Sequence, residues 1–368
     1  MTSGDRLAYI TGLRGIAALV VAVGHLLGMV PPDHPATSVF GANAYHLAIW
    51  PWLFGGQAVW LFLMVSGFAL YWSEMRRRDA GRGATPLRVY ALRRFWRIAP
   101  TYYAAVALGT VVLLVGSSVY LAPSPSLDTL RPVTPGGVVS HLLFVHNLNV
   151  QWIYQISPPL WSIGVEVHLY LLFPLLVRWH NPIVPACLLV VAVRALQYAL
   201  DLPVFALAEF FLAGAVLSHV AERWRPIPGP LLWATALTFM GLGFVRLDLP
   251  GPADQLVWLI GFGTLLLALH QASAAERGNV TTWPTVQRLG DASYSLYAVH
   301  FPLALALWWG VGRLGLPHAA EAAVMVVLGL PLVLAATWGC YRWVETWSLG
   351  KVRDVGRVKP APAEVLGG

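Results

Sequence analysis

Apolar runs of about 20 residues, separated by short polar segments, follow one another along almost the whole chain. Runs of this length and polarity predict membrane-spanning α-helices. Ten runs are interpreted as spans, at about 13–30, 52–72, 98–116, 160–179, 184–200, 203–220, 229–246, 255–272, 293–313 and 319–343. The pattern therefore predicts an all-α integral membrane protein, a bundle of ten transmembrane helices with no sizeable soluble domain.

Residues 138–158 are apolar enough to be an eleventh span, but they also carry many polar side chains. The positive-inside rule favours ten crossings with both termini in the cytoplasm, because 20 of the 24 lysine and arginine residues then lie on the inner side. Residues 138–158 are accordingly predicted to be re-entrant or interfacial. Their polar residues, including Asn147, suit either an acceptor-binding pocket or an interfacial aromatic belt.

The amino-acid composition supports an integral membrane protein and limits the kinds of ligand that are expected to bind. Hydrophobic residues make up 57% of the chain and charged residues only 11%, against about 25% charged in soluble domains. The formal net charge of +7 comes almost wholly from arginine, which points to membrane topology and anionic ligands rather than nucleic acid. The cysteines, Cys187 and Cys340, are interpreted as small core residues. No metal is predicted, since no His, Cys or carboxylate cluster has ligand spacing.

The predicted domain covers 7–347, and a basic, disordered cytoplasmic tail is predicted at 348–368. Abundant Ala, Arg, Gly and Val suit a high-GC bacterium, so the predicted location is a bacterial plasma membrane.

Arg14 and His25 are the polar exceptions within the first predicted span. Their spacing is about three helical turns, so both side chains lie on one helix face, roughly 16 Å apart along the axis. An ionisable residue near mid-bilayer is costly and usually faces a cavity or a partner, and histidine exchanges protons near neutral pH. His25 is therefore a candidate for catalysis. The alternative is a neutral histidine hydrogen-bonded between packed helices.

A second basic feature begins the third span, in the segment RRFWRIAPTYY. Arg94 and Arg97 are three residues apart on one helix face, and paired guanidinium groups suit bidentate phosphate binding. Plain positive-inside topology explains most of the neighbouring arginines. Together with Arg14, these two arginines predict a phosphate-binding site at the inner leaflet. From the rise per residue of an α-helix, His25 is expected to lie above this site by about the length of an extended pantetheine arm.

Six segments of the chain, in order, resemble motifs of the membrane-bound acyltransferase-3 family of O-acyltransferases. They are LRGIAALVVAVGH, the Gly-Phe turn SGFAL at 66–70, RFWRIAPTYY, LWSIGVEVHLYLLFPLL, FLAGAVLS and SYSLYAVHFPL. The resemblance covers roughly 7–347. It implies His25 as the catalytic residue, with Arg14, Arg94 and Arg97 around an acyl-CoA that enters from the cytoplasm.

The expected reaction is transfer of a short acyl group, acetyl above all, from acyl-CoA to a hydroxyl, with His25 as general base. Ser162 or a tyrosine is expected to stabilise the oxyanion. A covalent acyl-histidine is an alternative. Glu166 is expected either to orient His25 or to hydrogen-bond the acceptor hydroxyl, unless it is a structural partner of another polar residue in the membrane.

Tyr294, Tyr297 and His300 are spaced three apart on one face of the ninth span. They are interpreted either as aromatic packing around a satisfied histidine or, by the resemblance, as part of the wall of a substrate tunnel. Trp161 and Asn147 complete the predicted substrate-binding set. Glu345, at the end of the last span, is expected to pair with Arg342.

The resemblance implies a hydroxylated acceptor: a sugar, a lipid-linked glycan or a macrolide-like metabolite. Two other functional classes remain open. A proton-coupled transporter would use His25 and Glu166 as a relay, although the chain has no internal repeat and no paired broken helices. A non-catalytic scaffold would leave the intramembrane Arg14 and His25 without a role.

Overall fold

The computed structural model describes residues 7–30, 49–116, 130–200, 206–245 and 249–356. Regular structure in these ranges is entirely helical. The α-helices are α1 (Ala8–Gly28), α2 (Gly55–Asp79), α3 (Leu87–Gly116), α4 (Pro135–Leu142), α5 (Leu160–Leu176), α6 (Ile183–Leu200), α7 (Ala208–Arg223), α8 (Gly229–Val245), α9 (Gly251–Ala274), α10 (Pro284–Asp291), α11 (Ser293–Val311), α12 (His318–Val327), α13 (Gly329–Cys340) and α14 (Thr346–Asp354). A π-helical turn, Tyr341–Glu345, joins α13 to α14.

Each of the ten predicted spans overlaps helix in its described residues, so the all-helical prediction is confirmed. Within the part of the chain that the structure describes, six helical stretches are long and apolar enough to cross a membrane: Ala8–Gly28, Trp50–Asp79, Leu87–Gly116, Ile183–Leu200, Gly251–Ala274 and His318–Asp354. Leu160–Leu176 and Gly229–Val245 are shorter apolar helices. The count of ten crossings, the cytoplasmic termini and the domain boundary stay predictions.

The predicted tail divides into two parts. Residues 348–354 belong to α14 rather than to a disordered segment, because Ser348 of this helix donates a hydrogen bond to the carbonyl oxygen of Trp96 in α3. Arg93 of α3 also donates to the carbonyl oxygen of Val355, at 3.0 Å. Residues 357–368 lie outside the described part of the chain.

Residues 138–158 contain no helix long enough to span a membrane. They comprise the end of α4, a single 3₁₀ turn at His146–Leu148 and irregular turns. Tyr102 and Tyr103 of α3 donate hydrogen bonds to the last carbonyl groups of α4 at 3.0 and 2.8 Å. The segment is therefore held against α3 by bonds that satisfy the open end of a short helix.

Prolines inside two helices create contacts between helices. A proline cannot donate to the carbonyl group four residues earlier, so that oxygen needs another partner. Pro100 leaves the carbonyl oxygen of Trp96 without its partner within the helix, and this oxygen accepts the hydrogen bond from Ser348. Pro174 likewise leaves the carbonyl oxygen of Tyr170 without its partner within the helix, and this oxygen accepts a hydrogen bond from the Tyr90 hydroxyl at 2.9 Å. These prolines fix α14 and α5 against α3.

Glycines allow close backbone contact between α2 and α7. A Cβ atom at Gly67 would lie 2.8 Å from the carbonyl carbon of Phe211 and nearer still to its oxygen. A Cβ atom at Gly214 would lie equally close to the carbonyl carbon of Met64. The expectation of a Gly-Phe turn at 66–70 is wrong: Gly67 lies in the middle of α2, where it permits backbone contact between helices.

The helix α1 is packed on several sides and carries the first signature. Gly15, directly after Arg14, faces the backbone of Gly290 in α10, since a Cβ atom there would lie 2.6 Å from the Gly290 nitrogen. The helix also packs against α2 and α11. By contrast α6 is mostly exposed, and the interpretation of Cys187 as a core residue is wrong because its side chain lies on this outer face. A lipid-facing surface is as apolar as a core, so hydrophobicity alone does not separate the two.

Candidate active site

A cavity of about 230 Å³ lies between α1, α2, α3, α5 and α11. Seven of the predicted site residues line it: Arg14, Arg94, Arg97, Ser162, Glu166, Tyr294 and Tyr297. Apolar side chains such as Leu63 and Ile163 make up much of the remaining wall. A mostly apolar cavity with a few converging polar groups is the usual form of a small-molecule site.

Three guanidinium groups give the cavity its positive charge. Arg94 lies over the ring of Tyr170, with its central carbon 5.6 Å from the ring centroid. Among the described residues, no carboxylate is within ion-pair distance of Arg14 or Arg94. Burial raises the pKa of the nearby Asp291 carboxyl, and the charges of Arg14 and Arg97 oppose that shift. Two cationic groups are thus available to an anionic ligand.

Arg97 is held differently from the other two arginines. Its guanidinium group forms an ion pair with Glu345 at 3.1 Å, and Glu345 is 1% exposed. The second carboxylate oxygen of Glu345 accepts the backbone N–H of Ser295 at 3.2 Å and its hydroxyl at 2.6 Å. The expected pairing of Glu345 with Arg342 is therefore replaced by a pairing with Arg97. The π-helical turn ends at Glu345, and such turns often mark functional positions.

Glu166 lies in the cavity wall within a small hydrogen-bond network. Tyr170 and Ser66 both donate to the same carboxylate oxygen, at 2.5 and 2.9 Å. Among the described residues no hydrogen bond joins Glu166 to His25. Glu166 thus lines the cavity without contacting His25. Its hydrogen bonds give no support to the expectation that it orients His25, nor to a proton relay between the two residues.

Two hydroxyl groups stand together in another part of the wall. Ser162 and Tyr297 are hydrogen-bonded to each other at 2.6 Å, and Tyr297 also donates to the carbonyl oxygen of Pro159 at 3.1 Å. Tyr294 is turned elsewhere, since its hydroxyl donates to the carbonyl oxygen of Ile98 at 2.9 Å. The Ser162–Tyr297 pair therefore presents the hydroxyl oxygens of this part of the cavity.

His25 and His300 lie together beyond this wall. The ring of Tyr297 is 5.8 Å from the ring of His300, which in turn is 5.0 Å from the ring of His25. The Nε2 atom of His300 lies 3.2 Å from Nδ1 of His25. Neither histidine lines the cavity, so His300 belongs with His25 rather than to the cavity wall. The sequence gives no sign of this contact, because the two residues are 275 positions apart.

The remaining two predicted residues lie away from the cavity. Asn147 is fully buried and donates to the carbonyl oxygen of Trp161 at 2.9 Å. The side chain of Trp161 does not line the cavity. Both residues are therefore placed at the contact between the irregular segment and α5, and a substrate-binding role for them stays a prediction.

Ser66, Tyr170 and Glu345 are site residues that the sequence interpretation missed. Tyr170 follows Glu166 by four positions, which places both side chains on one helix face, so spacing was an available signal. Glu345 was assigned to Arg342, although a carboxylate at the end of an apolar span was a signal that it is buried with a partner. Ser66 had no signal beyond its place in an apolar helix.

Long apolar helices around this cationic cavity define a multi-pass helical membrane protein. A family model described as an acyltransferase domain matches residues 7–342. The chain belongs to this family, the acyltransferase-3 family, which confirms the resemblance seen in the sequence.

Two relatives extend the comparison. Acyltransferase MdmB of Streptomyces mycarofaciens is 26% identical over 408 aligned positions, which cover 97% of this chain and 96% of the relative. Exopolysaccharide production protein ExoZ of Rhizobium meliloti (strain 1021) is 28% identical over 287 positions, which cover 74% of this chain and 84% of the relative. No solved structure matches the chain.

Proposed function

We propose that this protein transfers a short acyl group, acetyl above all, from acyl-CoA to a hydroxyl of a sugar or of a glycosylated or polyketide small molecule. The observation that carries the proposal is the cationic cavity, with Arg14 and Arg94 unpaired among the described residues and a histidine pair beyond its Ser162–Tyr297 wall. Family membership supports acyl transfer as the reaction class.

The arginines suit the donor because CoA carries several phosphate groups. Guanidinium groups bind phosphate through paired, charge-assisted hydrogen bonds. Arg14 and Arg94 have no carboxylate partner in the described part of the chain, whereas Arg97 shares its charge with Glu345. In this proposal the phosphates bind at the arginines, and the acyl arm reaches past the Ser162–Tyr297 pair toward His25.

His25 then acts as the general base. Its Nε2 atom accepts the proton of the acceptor hydroxyl while the hydroxyl oxygen bonds to the thioester carbonyl carbon. The carbonyl oxygen gains negative charge, and a hydroxyl of the Ser162–Tyr297 pair donates to it after releasing the carbonyl oxygen of Pro159, to which both hydroxyls are hydrogen-bonded in the free protein. The carbon–sulfur bond breaks as the carbonyl reforms, and the CoA thiolate takes the proton from the imidazolium. The products are the ester and free CoA.

The class of acceptor is proposed from the side chains of the cavity and from the relatives of the chain. ExoZ is named for exopolysaccharide production and MdmB for acyl transfer, and both fit a hydroxylated acceptor. Glu166, whose carboxylate faces the cavity, is able to accept a hydrogen bond from an acceptor hydroxyl. The proposed setting is a bacterial plasma membrane with both chain termini in the cytoplasm, which places Arg94 and its neighbours on the CoA-containing side.

The test uses purified protein in nanodiscs with radiolabelled acetyl-CoA and three acceptors: a simple glycoside, a lipid-linked oligosaccharide and a macrolide that carries a sugar. We expect label to move to at least one acceptor with wild type. His25→Ala should abolish transfer, and His180→Ala, which changes an exposed histidine, should leave it unchanged. Transfer by folded His25→Ala at the wild-type rate would overturn the mechanism. Absence of transfer by wild type to all three acceptors would count against the acceptor class.

A further inference from the structure

His300 is fully buried and does not itself line the cavity, yet it directly contacts the proposed catalytic base. Its ring lies 5.0 Å from the ring of His25, and the planes are inclined by 50°. The two rings are joined through one nitrogen of each. The direction of the hydrogen bond between them determines which histidine has a free nitrogen.

The neighbouring carbonyl groups determine that direction. Nδ1 of His300 lies 3.1 Å from the carbonyl oxygen of Leu296, which can only accept, so this nitrogen carries the ring proton. A neutral imidazole has one ring proton, and Nε2 of His300 is therefore an acceptor. The donor to it, at 3.2 Å, is Nδ1 of His25, which also lies 2.9 Å from the carbonyl oxygen of Val21.

The proton of His25 is consequently held on Nδ1, shared between two acceptors. Its Nε2 atom keeps a lone pair and has no hydrogen-bond partner among the described residues. Both nitrogens of His300 are engaged. Of the two histidines, only His25 is therefore able to take a proton from a substrate hydroxyl without first giving up a bond.

We infer that His300 is a positioning residue, which holds the ring proton of His25 on Nδ1 and stabilises the imidazolium that forms when Nε2 accepts the substrate proton. This inference rests on the proposed function. The bond from Nδ1 to His300 becomes charge-assisted at that moment, as does the bond to Val21. The second ring nitrogen of a histidine is commonly fixed in this way by a hydrogen-bond partner.

The experiment compares substitutions that keep or remove the acceptor atom. His300→Gln keeps an oxygen that is able to accept from His25 and an amide that is able to donate to Leu296. His300→Phe keeps a ring and removes the acceptor. Phe301→Leu is the packing control, because the Phe301 ring meets the His25 ring edge-on at 5.5 Å without a polar atom. Each variant is first checked for a monodisperse elution peak and an unfolding midpoint, and His300→Met replaces His300→Phe if the latter does not fold.

We expect His300→Phe to lower kcat by about 10- to 100-fold, the range for a hydrogen bond to a charged group. The KM for acyl-CoA should stay unchanged, since His300 does not line the donor cavity. His300→Gln should recover most of kcat, and Phe301→Leu should stay near wild type.

Wild-type kcat in His300→Phe would overturn the inference. So would an equal loss in His300→Phe, His300→Gln and Phe301→Leu, because that pattern indicates packing alone. Failure of the proposed function gives a different result. Wild type would then transfer no acyl group, or His25→Ala would transfer it at the wild-type rate, and the role of His300 would be refuted together with the proposed function.

Discussion

Replacing Gly67 by alanine tests how α2, which forms part of the cavity wall, packs against α7. The added Cβ atom would lie 2.8 Å from the carbonyl carbon of Phe211, while side-chain carbons essentially never lie under 3.0 Å from such atoms. The obstacle is backbone rather than a movable side chain, so α2 and α7 must separate. Overpacking of this kind costs about 1–3 kcal/mol. The intrinsic helix preference of alanine over glycine, up to about 1 kcal/mol, offsets only part of it.

The assay is thermal unfolding in detergent, followed by the fluorescence of the 17 tryptophans. We expect the unfolding midpoint of Gly67→Ala to fall by several degrees. Gly241→Ala is the matched control, because nothing lies within 4 Å of a Cβ atom at that helical position, and its midpoint should equal or exceed that of wild type. Gly214→Ala should behave like Gly67→Ala, and the double variant should lose less than the sum, since the first substitution already separates the helices.

Donor binding gives a second readout of the same substitution. Leu63 and Ser66 of α2 line the cavity, so separating α2 from α7 should also weaken acyl-CoA binding. A Gly67→Ala protein with the midpoint of wild type would refute the reasoning, because it would mean that the two backbones are not in close contact.

Two further predictions concern polar groups of the site. Glu345→Gln should lower the free energy of unfolding by about 1.5–3 kcal/mol, because one amide oxygen cannot replace both carboxylate oxygens that bind Arg97 and Ser295. The measurement is the unfolding midpoint, and the control is Glu276→Gln, which changes a carboxylate in an exposed turn. An unchanged midpoint would show that the ion pair contributes nothing. Tyr297→Phe should lower kcat by about 100-fold while the KM for acyl-CoA stays constant, since a hydroxyl placed for the oxyanion is removed. Tyr103→Phe, which loses only a bond to the end of α4, is its control, and equal kcat in the two variants would rule out the oxyanion role.

The helices were predictable because a membrane span requires a long apolar run, and each predicted run coincides with helix. Spacing along one helix also placed Arg94 and Arg97 on the cavity side of α3. Contacts between helices were not predictable in this way. The pairing of His25 with His300 depends on how α1 packs beside α11, and no periodicity within either helix specifies the neighbour.

The same limit explains the wrong expectations. Glycine in SGFAL is compatible with a turn or with close helix packing, and only the presence of α7 decides between them. Glu345 has Arg342 within one helical turn, yet the π-helical turn and the position of α3 bring it to Arg97 instead. Cys187 illustrates that burial in lipid and burial in protein have the same sequence pattern.

The central claim is that an arginine-lined cavity binds the donor and that His25 performs the transfer. The most direct test measures both steps separately, as equilibrium binding and slow hydrolysis of radiolabelled acetyl-CoA by wild type, His25→Ala, Arg94→Ala and Arg88→Ala. Arg94 is chosen because Arg97 also holds an ion pair, and Arg88 is an exposed arginine on the same helix.

We predict that Arg94→Ala binds acetyl-CoA about 10- to 100-fold more weakly and that Arg88→Ala binds it like wild type. His25→Ala should bind with wild-type affinity and lose hydrolysis. Binding by none of the proteins, or hydrolysis at the wild-type rate by folded His25→Ala, would contradict the account.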